Sequence, residues 1–264
     1  MNTNNLIALR RMATAWTAAV VFWLATGLRA EPPSVADLRL VPFPKEVRVA
    51  NGGLKLKGKL VIQVIATAPA NQAAVDLQRE LAHRAKSEFA VKTTTAKDGE
   101  PLLLWLGAKN TSRGQVLRAI GSMPEPAEGY ALVVTDTFAA VGARRPAGLA
   151  HGIQTLRQLV RANLRDGRIP AVTIRDWPSL RYRGFSYDIT RGPSPTPATL
   201  EREVDLSALL RMNFMTYYLE HQYAFAKHPL IGPKDGSLKP EELKALVQYA
   251  ADRGIEIIGN QQSF

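Results

Sequence analysis

The apolar positions of this chain follow two different rhythms. In the first stretch, residues 38–42, 46–49 and 54–65 alternate apolar and polar side chains, which predicts strands with one wet and one buried face. An Asn51-Gly-Gly53 turn is expected to separate the last two, and Lys55, Lys57 and Lys59 then fall along one strand. Ala74, Leu77, Leu81, Ala85 and Phe89 recur at helical spacing and predict a helix over 70–89. The run 102–107 is apolar throughout and reads as a buried strand, with a short helix following near 112–120. Residues 130–135 and 137–143 predict two strands joined at Asp136. A helix over 146–164 has Leu149, Ile153, Leu156 and Val160 on one face, and Pro146 suits its first turn. Residues 169–178 read as a last strand and a connector, so the first stretch predicts a small sheet with helices packed on it.

From residue 180 the rhythm becomes strand–helix–strand. Strands are predicted at 184–190, 214–220 and 255–260, with helices at 196–212, capped by Thr196, and 239–253, stopped by Gly254. Three strands with two intervening helices predict a parallel α/β unit. In a parallel barrel the working residues stand at the C-terminal strand ends. Here those ends are 188–191, 220–222 and 260–264, and all three are polar.

Composition narrows the chemistry. The 264 residues contain no cysteine, which excludes structural disulfides, thiolate catalysis and cysteine-type zinc sites. The four histidines show no metal-ligand spacing, and no cofactor is expected. His83, His151 and His228 read as solvated helix, helix interior and loop. The net charge is +11, but the basic residues are scattered, unlike the clustered footprint of a nucleic-acid binder. No nucleic-acid partner is expected; a basic surface equally suits anionic polymers or membranes.

The N-terminus sets Arg10-Arg11 before an apolar run over 12–28 and a small residue, Ala30. This is the layout of a secretory signal over residues 1–30, which predicts export to the periplasm or the extracellular space. An uncleaved N-terminal anchor is the alternative, and no other segment is long and apolar enough to span a membrane.

Several runs together are similar to the bacterial β-N-acetylhexosaminidases of glycoside hydrolase family 20. They are Glu128-Gly-Tyr-Ala-Leu132, Gly148-Leu-Ala-His-Gly-Ile-Gln-Thr-Leu-Arg-Gln-Leu159, Ile169-Pro-Ala-Val-Thr-Ile-Arg-Asp-Trp-Pro178 and Tyr182-Arg-Gly-Phe-Ser-Tyr-Asp188. The resemblance implies an α/β chain: a small α+β sheet domain over 31–178, then the first three strands of a (β/α)8 TIM barrel over 179–264. It implies an N-acetylhexosamine-containing glycan as partner, with substrate contacts from Arg183, Asp188, Glu220, His221 and Asn260. Arg183 would hold sugar hydroxyls, for which a guanidinium fork is well shaped; the alternative is a structural ion pair, for instance with Asp188. Where many members carry His-Trp-His on the second strand, this chain has Tyr217, Tyr218, Glu220 and His221. Glu220 and His221 contact substrate, support the acid, or form an ordinary strand-end network.

The family's Asp-Glu pair, in which Glu protonates the glycosidic oxygen and Asp orients the substrate's acetamide, has no counterpart here: the sequence contains no Asp-Glu dipeptide. A barrel needs about 250 residues, and 84 follow Leu180. The expectation is therefore a fragment of a secreted glycosidase, inactive on its own and aggregation-prone through an exposed strand edge. A non-catalytic binding domain, or the related class acting on O-linked GlcNAc or hyaluronan, are the other readings.

Overall fold

The structure is a computed structural model and describes residues 34–66, 68–233 and 235–261. The segment read as an export signal, and the last three residues of the 260–264 run, lie outside the described residues. Seven strands form one mixed sheet: β1 (Glu46–Lys55), β2 (Leu60–Ala66), β3 (Ala90–Thr95), β4 (Leu102–Ala108), β5 (Tyr130–Val134), β6 (Phe138–Ala143) and β7 (Arg168–Asp176), in the order β1-β7-β5-β6-β4-β2-β3. Every neighbouring pair is antiparallel except β2 and β3. Helices α1 (Ala68–Ala85) and α3 (Pro146–Asn163) cover one face and α2 (Arg113–Ile120) the other. This explains the unbroken apolar run of β4. Leu102, Leu104 and Leu106 pack into the core under α1 and α3, while Leu103 and Trp105 pack under α2.

Three details depart from the periodicity. The Asn51-Gly-Gly53 segment does not reverse the chain; it is a bulge inside β1, where pairing jumps from Val49–Val172 to Gly53–Pro170. The Asp136 carboxylate, from the β5–β6 turn, accepts the Gly53 N–H at 2.6 Å, and Gly52 supplies a φ of 89°. The reversal comes at Gly58 instead (φ 86°), so Lys57 and Lys59 flank a turn and do not share a strand with Lys55. Residues 38–42 join no sheet, and the chain bends at Val41 and Pro42. Their partners are side-chain amides of α3: Asn163 Oδ1 accepts the Arg39 N–H, and Gln158 both accepts from Val41 N and donates to its carbonyl. Leu38 and Leu40 still reach the core. The mostly exposed edge strand β3, Ala-Val-Lys-Thr-Thr-Thr, was not expected at all.

The second sheet holds β8 (Gly184–Asp188), β9 (Phe214–Tyr218) and β10 (Glu256–Asn260), all parallel, with β9 in the centre. Helix α4 (Pro197–Leu209) connects β8 to β9, and α5 (Pro240–Ala251) connects β9 to β10. Thr196 caps α4 by accepting the Thr199 N–H. Phe185, Tyr187, Met215, Tyr217 and Ile257 face the helices, packing against Leu200, Val204, Ala208, Leu246 and Ala250. By the two-residue period of a strand, Ser186, Asp188, Thr216, Tyr218, Ile258 and Asn260 occupy the opposite face, which no element of the described residues covers.

A short polar seam binds this sheet to the first. Arg211 follows α4 with a left-handed φ of 60°, which carries its guanidinium into the core of the first sheet. There it donates to Pro42 O, Thr155 Oγ1 and Tyr130 Oη and lies 3.8 Å from Asp176. Gln158 donates to Leu209 O at 2.8 Å. On the helical side, Arg253 stacks on Tyr249, pairs with Asp205 at 2.7 Å, and approaches Asp76 of α1 at 4.0 Å. Among the described residues no helix is long and apolar enough to cross a membrane, and no cluster of three or more His, Asp or Glu is placed to hold a metal ion.

Candidate functional site

Strand register builds the candidate site. Asp188 pairs with Tyr218 and Tyr218 with Asn260, so the last residues of the three parallel strands stand in one row on the uncovered face. Short segments beyond β8 and β9 return to this row. Arg191 donates to Asp188 Oδ2, lies 3.7 Å from Glu220 Oε1, and holds its guanidinium 5.5 Å from the centre of the Tyr218 ring. The Tyr218 hydroxyl donates to the same Glu220 oxygen. The other Glu220 oxygen is 3.7 Å from His221 Nδ1. Glu220 has a left-handed φ of 38°, rare for a residue with a side chain, and such conformations gather at functional turns. Gln222 follows, its carbonyl oxygen accepting from Ser194 Oγ at 2.9 Å.

The charges are arranged to persist. The Thr190 hydroxyl and backbone N–H, with Arg191 behind them, hold the Asp188 carboxyl down at about 2. Asp188 in turn raises the Arg191 guanidinium above its ordinary value, and the bond to Glu220 raises the Tyr218 phenol. The result is a half-exposed constellation of a carboxylate, a guanidinium, a phenol and a second carboxylate, rich in donors and acceptors for hydroxyl groups. Asn260 completes the row; its carbonyl accepts the Leu219 N–H at 3.1 Å.

The structure gathers Asp188, Glu220, His221 and Asn260 of the five residues singled out from sequence. Arg183 is elsewhere. It immediately precedes β8, at the end of the parallel sheet opposite to the row. Its guanidinium makes a bidentate pair with Glu128, at 2.7 and 3.1 Å, and donates to the carbonyls of Leu180 and Arg211. Its ion-pair partner is thus Glu128, and that of Asp188 is Arg191. The guanidinium that sequence reading missed is Arg191, whose signal was its place just past the strand end.

The Arg183–Glu128 pair lines a cavity of about 240 Å³ together with His151, Trp177, Phe43 and Arg211. His151 Nε2 is 4.0 Å from Glu128 Oε1. Burial pushes the His151 imidazole down to about 4, against the pull of Glu128. Burial also works to raise Glu128, but hydrogen bonds from Arg183 and the charges of His151 and Arg183 leave it below its ordinary value. Unfolding therefore takes up protons as pH falls below 6.5, the value of a free imidazole, so stability declines between pH 6.5 and 4, and Glu128 adds loss in the same direction at lower pH. The imidazole alone should cost about 2 kcal/mol by pH 5. Thermal melts at pH 7 and pH 5 check this: His151→Gln should show a smaller acid-induced drop than the parent, and an unchanged drop would remove His151 as its cause.

Comparison with known proteins bears on the fold. A family model described as glycosyl hydrolase family 20, domain 2, matches residues 37–177, more than half of the chain. The chain is 26% identical over 238 residues to a beta-N-acetylhexosaminidase from Cellulomonas fimi, covering 84% of this chain and 45% of that protein. It is 25% identical to a beta-hexosaminidase from Vibrio furnissii, covering 87% of this chain and 38% of that one. In fold it is similar to Streptomyces plicatus N-acetyl-beta-hexosaminidase, solved in complex with Thio-NAglucal, with a TM-score of 0.66 at 22% identity over 87% of this chain and 46% of the other. The chain thus spans less than half the length of these relatives.

Proposed function

Since the chain belongs to glycosyl hydrolase family 20, we propose that it carries the sugar-binding part of an exported β-N-acetylhexosaminidase. In this reading residues 1–30 are the export signal, 31–178 the small α/β domain, and 179–264 the start of a (β/α)8 barrel. The row at the strand ends binds the terminal N-acetylhexosamine of a glycan. The observation that carries the reading is the register-built row Asp188–Tyr218–Asn260 with Arg191 and Glu220 turned onto it. Arg191 takes the part first given to Arg183, because it stands at the C-terminal strand ends where parallel α/β units work.

The chain's own residues supply binding and orientation. Asp188 fixes the Arg191 fork, and Glu220, held by the Tyr218 hydroxyl, offers acceptors to sugar hydroxyls. Hydrolysis by the substrate's own acetamide requires a general acid and an orienting carboxylate as an Asp-Glu pair, which this sequence does not contain. The expected behaviour is binding without turnover.

Titration of N-acetylglucosamine into the isotope-labelled chain, followed by NMR, tests this. Resonances of 188–191 and 218–221 should shift. Arg191→Ala should weaken binding about tenfold, the worth of one charge-assisted contact, and Arg183→Ala should leave affinity unchanged. The proposal is wrong if no sugar binds, or if Arg183→Ala abolishes binding while Arg191→Ala does not.

A further inference from the structure

The bulge in β1 places a chemically labile dipeptide outside the hydrogen-bonded ladder. Residues 50–52 have no register partner on β7, because pairing passes from Val49–Val172 directly to Gly53–Pro170. Asn51 stands in the middle of this gap. It is exposed, and its side-chain amide is held by no hydrogen bond among the described residues. Of the nine asparagines in the sequence, it alone is followed by glycine.

That glycine is fixed by the fold. Gly52 has a left-handed φ of 89°, and a Cβ on it would overlap Asp136 Oδ1, the oxygen that accepts the Gly53 N–H. A Cβ on Gly53 would overlap the Ile169 carbonyl oxygen of β7. The close seating of the bulge on β7 and on the β5–β6 turn thus requires both glycines. The same requirement leaves the nitrogen after Asn51 uncrowded by a side chain and gives its backbone wide conformational freedom. An asparagine held in a paired strand has neither.

We infer that Asn51 is a site of spontaneous deamidation, and that its conversion loosens β1 from β7. The Gly52 nitrogen bonds to Asn51 Cγ, the Cγ–Nδ2 bond breaks, and Nδ2 leaves as ammonia with the proton lost from the Gly52 nitrogen. Water then opens the five-membered imide. Opening at Cγ gives aspartate. Opening at the backbone carbonyl carbon gives isoaspartate, in which the chain runs through Cγ and is one methylene longer. Water is the sole co-reactant, and nothing is oxidised or reduced. Both products disturb the same contacts. Aspartate adds a carboxylate one residue from the Gly52–Asp136 approach, where like charges repel. Isoaspartate shifts Gly53 along the ladder, away from the Asp136 carboxylate and from Arg168, which donates to Gly53 O at 3.1 Å. Leu54 and Leu56, buried in the core just beyond, follow that shift. The inference is independent of the sugar-binding reading.

The test ages the full chain at neutral and mildly alkaline pH and maps it by peptide mass spectrometry, which reads amide-to-acid conversion and separates the two products. Asn51 should convert about fivefold faster than Asn110, an exposed asparagine followed by threonine, the factor that a glycine's extra backbone freedom provides. The melting midpoint of the aged parent should fall, and amide exchange at residues 46–55 should quicken. Aged Asn51→Gln should keep both at their fresh values, because glutamine would have to close a six-membered ring. Incubation in denaturant gives the rate that local sequence alone sets. A folded-state rate no faster than that of Asn110, or far below the rate in denaturant, means that the bulge shields Asn51 and overturns the site. Fast conversion that leaves the midpoint and the exchange at 46–55 unchanged overturns the link to β1.

Discussion

Replacing Arg211 by methionine should destabilise the chain by about 3–5 kcal/mol, the range for stripping one partner from a buried ion pair. Arg211 is 5% exposed and serves three acceptors, Pro42 O, Thr155 Oγ1 of α3 and Tyr130 Oη of β5, with Asp176 at 3.8 Å. Methionine fills the volume but donates nothing. It leaves the buried Asp176 carboxylate supported by Lys45 N and the Tyr130 hydroxyl. Arg211 also occupies a left-handed position after a helix, where glycine is usual. The backbone cost of seating arginine there is offset by what its guanidinium reaches. Chemical denaturation of Arg211→Met, Asp176→Asn and the double variant measures the effect. The double variant should lose clearly less than the sum of the two singles, because neutralising Asp176 removes the stranded charge. Strict additivity would show that the two groups are not energetically coupled. Because Arg211 joins two sheets, its loss should also separate the thermal transitions of residues 34–176 and 184–260, which tryptophan fluorescence and far-ultraviolet dichroism would report as non-coincident melts.

Gly152→Val should cost about 3 kcal/mol through overpacking, lowering the midpoint of thermal unfolding by roughly 6–12 °C. Helix α3 lies against β5 and β6 through Gly148 and Gly152. A Cβ on Gly152 would run into the Val141 side chain and the Tyr130 ring, and one on Gly148 into the Gly129 carbonyl. Tyr130 cannot move aside, because its hydroxyl is bonded to Thr155 and Asp176 within the same core. Valine at Gly114, whose nearest neighbour is the tip of the Arg118 side chain, provides the comparison and should cost far less. Equal losses at both positions would mean that helix propensity, and not close packing, governs Gly152.

Legibility from sequence followed the kind of partner each segment has. Helices α3, α4 and α5 and strands β4 to β10 were readable because an apolar stripe or run faces another regular element. Residues 38–42 misled because their backbone bonds to side-chain amides of Gln158 and Asn163, more than 110 residues away, and not to a strand. The Asn-Gly-Gly turn misled because local preference for reversal was overridden by the distant Asp136 carboxylate. β3 was invisible because an edge strand that is exposed on most of its length carries no apolar rhythm. For the site, the polar strand ends were legible and four of the five chosen residues do stand together. Arg183 and Arg191 were not distinguishable by type: both flank the same five-residue strand, and only the direction of that strand in the parallel sheet assigns them to opposite ends. The Glu128 partner of Arg183 lies 55 positions away and had no signal in the pattern.

The pairing of β1 with β7 carries a consequence in time. Glu46 faces Arg175 across the sheet, so the first strand to be synthesised waits for the last strand of its own sheet. At about 5–20 residues per second, roughly 6–25 s separate their emergence from the ribosome. During that interval β2, β4, β5 and β6 can already assemble around α1, while residues 46–55 remain a detached ribbon with Val47, Val49 and Leu54 uncovered. Translation speed across residues 56–176, and any chaperone that holds the ribbon meanwhile, thus act on the yield of folded protein before a single sugar contact exists.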